Sequence, residues 1–72
     1  MSTFADRINP DLKKQILEQR VEQLVVEGYQ NELARDQFLA IGDTEQAAQH
    51  EANLTVIAEA LAVVEAQLSP DS

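Results

Sequence analysis

The 72-residue chain lacks cysteine and tryptophan, and it contains only two glycines, two prolines and one histidine. Without cysteine it forms no disulfide and no thiolate metal site, and one histidine is too few for a zinc or iron site, so we expect no cofactor. No apolar run approaches the roughly 20 residues of a membrane span, and residues 1–7 lack the apolar centre of a signal peptide. We therefore expect a cytoplasmic protein with no membrane contact.

Basic residues are missing from the second half of the chain. Residues 1–35 carry six acids and five bases, a net charge of −1, whereas residues 36–72 carry seven acids and no base, a net charge of −7. Because binding to a phosphate backbone depends on lysine and arginine, we expect no direct contact with nucleic acid. A basic protein surface is the partner that this charge favours.

What the chain does have is a pair of matching stripes, each of seven residues at alternating spacings of three and four. The first stripe is Leu17, Val21, Leu24, Gly28, Asn31, Arg35 and Phe38; the second is Ala47, His50, Leu54, Ile57, Leu61, Val64 and Leu68. Such spacing is typical of a coiled-coil seam. Read in opposite directions, the stripes pair one to one with residue numbers that sum to 85. The pattern predicts an all-α protein, an antiparallel two-helix hairpin.

Charged residues support the same register. The expected cross-helix neighbours are Arg35 with Glu51, Arg20 with Glu65, and Lys14 with Asp71. Each of these exposed pairs adds little stability, so we interpret them as indicators of register.

Capping residues indicate where the helices begin and end. Asn9 and Pro10 are typical of a helix start, Gly42 of a helix end, and Asp43 can cap the helix that follows. Pro70 cannot continue a helix. We predict a lead-in at 1–9, a hairpin domain at 10–69 with helix 10–41, turn 42–43 and helix 44–68, and a tail at 70–72.

Gly28 allows two interpretations. It is a small residue opposite Ile57 inside one continuous helix, or it ends the first helix and a separate helix covers residues 29–41. The stripe keeps its phase across Gly28, which favours the continuous helix.

The first helix has apolar residues on its far side as well, where a surface helix is usually polar. This outer stripe consists of Leu12, Ile16, Val26, Tyr29, Leu33 and Ala40. We predict that it forms a partner or oligomer interface, most simply in a homodimer that makes a four-helix bundle. The alternative is a monomer in which Phe4 and Ile8 fold back over Leu12 and Ile16.

His50 is the one side chain that normally titrates near neutral pH, so it is a candidate base, metal ligand or pH switch. It lies in the seam with Asn31 and Arg35, and we interpret the three as a polar layer that specifies register. No second histidine or E-x-x-H spacing supports a metal site.

We expect a solvated acidic face formed by Glu45, Glu51, Glu59 and Glu65, and we predict that the protein is not an enzyme.

Residues 40–48 read Ala-Ile-Gly-Asp-Thr-x-x-Ala-Ala, and residues 54–65 read Leu-x-x-Ile-x-x-Ala-Leu-x-x-Val-Glu. This segment resembles the hairpins of small phage proteins. The resemblance implies a phage or mobile-element accessory protein, in the host cytoplasm or the virion, and it transfers no functional residue.

From the residues themselves we predict a non-enzymatic, self-associating acidic hairpin that acts as a protein–protein interaction or assembly module. The alternative is an acidic inhibitor or mimic that occupies the basic, nucleic-acid-binding surface of another protein.

Overall fold

A computed structural model of the chain describes residues 3–68. It contains three helices: α1 (Thr3–Arg7), α2 (Pro10–Ala40) and α3 (Thr44–Leu68). The two long helices pack against each other along their lengths, and the molecule measures 49 × 21 × 20 Å. The described part of the chain contains no β-strand. The predicted all-helical hairpin is therefore confirmed.

The N-terminus of α2 is capped as its sequence predicts. Asn9 has an extended backbone, and its Oδ1 accepts a hydrogen bond of 2.8 Å from the backbone N–H of Asp11. Pro10 occupies the first turn, where its missing N–H costs no helical hydrogen bond. The observed helix ends at Ala40, one residue before the predicted end.

The turn between α2 and α3 satisfies several of the free backbone groups at the two helix ends. The N–H of Asp43 donates to the Phe38 carbonyl at 2.9 Å, and that of Gly42 donates to the Leu39 carbonyl at 3.1 Å. These two bonds form a Schellman motif, which needs a left-handed residue; Gly42 supplies it with a φ of 81°. The carboxylate of Asp43 then caps α3 by accepting from the N–H of Gln46 at 3.1 Å.

Gly28 lies inside the continuous helix α2, so the alternative of two separate helices is wrong. A Cβ atom placed on Gly28 would lie 3.8 Å from Cγ2 of Ile57, an ordinary contact distance. The predicted pairing of these two residues across the seam is confirmed.

The hydrophobic core is a single seam between two helices. Among residues with a described burial, only Leu24 (8% exposed) and Ala47 (4% exposed) are buried, and the other seam residues are half-buried. No second layer covers the hairpin in the described part of the chain. Most apolar side chains outside the seam therefore face solvent.

The lead-in forms one short helix, α1, but it does not cover the start of α2. Phe4 is 82% exposed, and Leu12 and Ile16 are each about half exposed. Phe4 and Ile8 border a shallow depression beside Ile16 and Leu17. The fold-back alternative, in which the lead-in buries Leu12 and Ile16, is not what the structure shows.

Of the predicted charge pairs, Arg35 and Glu51 form an ion pair at 2.9 Å. Arg20 and Glu65 form none, and Asp71, the expected partner of Lys14, lies outside the described residues. The predicted stop at residues 69–70 and the tail at 70–72 also lie outside them. Within residues 3–68, neither long helix is apolar enough over a sufficient length to cross a membrane.

Candidate interaction surfaces

The polar layer of the seam is centred on Asn31. Its Oδ1 lies 2.9 Å from Nδ1 of His50 and also accepts a hydrogen bond of 3.2 Å from the amide of Asn53. Its own amide donates to the backbone carbonyl of Glu27 at 2.8 Å, which fixes the orientation of the side chain. Because Oδ1 can only accept, Nδ1 of His50 carries the hydrogen of this bond.

His50 packs against an aromatic ring on its other side. Its imidazole stacks on the ring of Phe38 with centroids 5.6 Å apart and planes 14° apart. The ring is therefore held between a hydrogen-bond acceptor and an apolar surface. These two contacts fix the position of the His50 side chain within the seam.

Arg35 joins the seam to the surface. Its guanidinium donates to Glu51 at 2.9 Å and to Asp36 at 3.2 Å, and these two hydrogen bonds raise its pKa above the ordinary arginine value. No hydrogen bond links Arg35 to His50. The structure thus brings together two of the three residues of the predicted layer, Asn31 and His50, and turns the third towards acids.

The outer stripe lies on α2 opposite the seam, as its helical spacing requires. All six of its residues are exposed, with Tyr29 60% exposed and Leu33 44%. No described segment of the chain packs over it. The outer stripe of this single chain therefore faces solvent.

A second apolar surface lies beside the seam, between the two helices at the level of Gly28. It is a groove of about 500 Å³. Seam residues line its floor, namely Leu24, Gly28, Leu54, Ile57 and Leu61. Val25, Tyr29 and Glu32 form the wall on α2, and Ala58 forms the wall on α3. Tyr29 therefore borders both the groove and the outer stripe.

The sequence-based prediction did not include this groove. Its signals were present, because Gly28 and Ala58 are small residues at positions flanked by longer side chains. The heptad pattern shows which residues face the partner helix, but not how far the helices stand apart on each side of the seam. The presence of a groove depends on the distance between the two helices, which the heptad pattern does not give.

The four predicted acidic-face residues divide into two pairs. Glu45 and Glu59 are fourteen residues apart, as are Glu51 and Glu65, and each spacing returns nearly to the same side of a helix. The two pairs are separated by about a third of a turn around α3. All four side chains are exposed, and Arg35 neutralises Glu51.

Within residues 3–68, no group of three or more histidine, aspartate or glutamate side chains is placed to hold a metal ion. The fold and its surfaces define an all-helical hairpin with unpartnered apolar faces. Comparison with protein-family models, with curated proteins and with solved structures finds no match for the chain.

Proposed function

We propose that this chain is a non-enzymatic, self-associating hairpin that acts as a protein–protein interaction or assembly module. One observation carries the proposal, namely the amount of surface that the single hairpin leaves open. The accessible surface is 5710 Å². A compact monomer of 8.0 kDa is expected to expose only about 4,450 Å². The difference of about 1,250 Å² exceeds the roughly 800 Å² that each partner buries in a standard interface.

The outer stripe supplies an apolar surface for the contact between copies. Its six exposed residues include a tyrosine and four large aliphatic side chains, and they lie on one face of α2 in two groups, within residues 12–16 and 26–40. Contact through this face would give a dimer of four helices, with the two α2 helices in the middle. In such a dimer the groove of each hairpin is covered only along its Tyr29 border.

Light scattering coupled to gel filtration tests the proposal over a wide range of protein concentration. We expect a mass of twice 8.0 kDa for the native chain. Val26→Glu with Leu33→Glu should reduce it to the monomer mass, because buried like charges oppose association. Val56→Glu with Val63→Glu places the same two charges, with the same seven-residue spacing, at exposed positions of α3 outside the stripe, and this control should keep the native mass.

Two results would contradict the proposal. A mass of 8.0 kDa at every concentration would exclude self-association, and an unchanged mass in the Val26/Leu33 variant would exclude the outer stripe as the interface. Circular dichroism of each variant checks that the hairpin is still formed.

The alternative of an acidic mimic is less well supported by the geometry. A mimic of nucleic acid presents its charges on one surface, whereas the four glutamates lie on two sides of α3, and one of them is paired with Arg35. The interaction module is therefore the function that we propose.

A further inference from the structure

We infer that the groove beside Gly28 is the docking site for a basic amphipathic helix of a partner protein. This inference names a partner for the interaction module and rests on that proposed function. Its first support is shape. The groove runs between two helices, has an apolar floor, and leaves Val25 and Tyr29 more than half exposed. A third helix laid along it would bury these side chains in the manner of helix-in-groove recognition.

The space for such a helix comes from two small residues. Gly28 has no side chain, and a Cβ there would still be 3.8 Å from Ile57. Ala58 on the opposite wall is short and exposed. Large apolar side chains of a partner can therefore reach the floor without displacing any side chain of the hairpin.

Charge decides which partner fits. On the α2 wall, Glu18 and Glu32 lie seven residues before and after Val25. On the α3 wall, Glu51 and Glu65 lie seven residues before and after Ala58. Seven residues span about 10 Å of helix, so both walls carry acids at both ends of the groove.

Three of these four acids are available to a partner. Glu18, Glu32 and Glu65 form no ion pair within residues 3–68, and Glu51 is bound by Arg35. Lys14 lies one turn before Glu18 and forms no ion pair with it. A partner helix should therefore carry apolar residues over its central turns and lysine or arginine about one heptad away on either side.

A second copy of the chain fits this groove less well. Each copy has a net charge of −8, so acids at the ends of the groove would meet a predominantly acidic chain. Like charges placed against each other oppose binding, whereas a basic helix gains from the same acids.

The test is a titration with a synthetic amphipathic peptide of leucine and lysine that contains no tyrosine or tryptophan. Tyr29 is the single tyrosine and the chain has no tryptophan, so its emission reports directly from the groove wall. We expect a saturable change in emission. Ala58→Lys should weaken binding by about tenfold or more, because it places a charge in the apolar contact. Ala52→Lys makes the same substitution at an exposed alanine of α3 outside the groove, and it should bind almost as tightly as the native chain.

The outcomes separate this inference from self-association. Equal affinities of the Ala58→Lys and Ala52→Lys variants, absence of binding, or equally tight binding of a leucine–glutamate peptide would each overturn the groove assignment. Loss of self-association in Ala58→Lys, measured by light scattering, would also overturn it, because a second copy would then occupy the groove. A native chain that binds the peptide but remains a monomer would support the groove and contradict self-association.

Discussion

The two glycines of the chain have opposite roles, and alanine substitution distinguishes them. At Gly28 an added Cβ meets Ile57 at 3.8 Å, so Gly28→Ala should stabilise the hairpin by about 1 kcal/mol through helix propensity. At Gly42 the backbone has a φ of 81°, so Gly42→Ala should destabilise it by about 1–2 kcal/mol. Urea unfolding followed by circular dichroism measures both changes. At Gly42 no atom lies within 4 Å of the added Cβ, so the cost there is purely conformational.

Opposite results would be informative. Destabilisation by Gly28→Ala would show that the helices need to approach more closely than they do here. An unchanged stability of Gly42→Ala would mean that the turn can adopt another conformation, in which a left-handed residue is not required.

At the residue scale, the sequence predicts which side chains enter the seam and which residues cap the helices. Every residue of the two seam stripes is buried or half-buried, and Asn9 and Asp43 accept the capping hydrogen bonds. The partner of His50 could not be predicted, because a heptad pattern assigns residues to layers but does not determine their rotamers. The long side chain of Arg35 reaches Glu51, and His50 contacts Asn31 and Phe38 instead.

At the scale of elements, the bond between Asn31 and His50 is a direct polar contact that joins α2 to α3 inside the seam. Asn31→Leu should cost about 1 kcal/mol, because His50 and Asn53 both lose their acceptor. His50→Leu removes the other partner of the bond. In the double variant the seam is apolar at this layer. Its loss of unfolding free energy should therefore be about 1 kcal/mol smaller than the sum of the losses in the two single variants.

Thermal unfolding of the four proteins gives this coupling energy. The single variants serve as controls for each other, since each changes one polar residue to the same leucine. Strictly additive effects would show that the hydrogen bond does not stabilise the hairpin. The cap residues and short turn would then be sufficient to fix the register.

The ends and pairing of the helices could be predicted because they depend on local signals. Asn9, Gly42 and Asp43 each act within a few residues of the chain, and the stripes pair through a turn that is too short for another arrangement. The groove depends on the separation of α2 and α3, which is set by all the seam contacts together. The outer stripe was predicted from spacing alone, and its exposure is confirmed, whereas its partner remains a proposal.

At the scale of the whole molecule, the net charge of −8 gives the two proposed interactions opposite responses to salt. Two copies of the chain repel each other, and salt screens that repulsion. The basic peptide is attracted to the groove, and the same screening weakens the attraction. The screening length falls from about 10 Å at 0.1 M to about 3 Å at 1 M salt, so both the repulsion and the attraction are weaker at high salt.

We therefore expect sodium chloride to strengthen self-association and to weaken peptide binding. Sedimentation equilibrium at low and high salt measures the first effect, and the Tyr29 titration at the same salt concentrations measures the second. Peptide binding that is insensitive to salt would show that the acids around the groove do not contribute. Self-association that weakens with salt would show that opposite charges hold the copies together, and the contact would then have to include the basic residues of α2 instead of the apolar outer stripe alone.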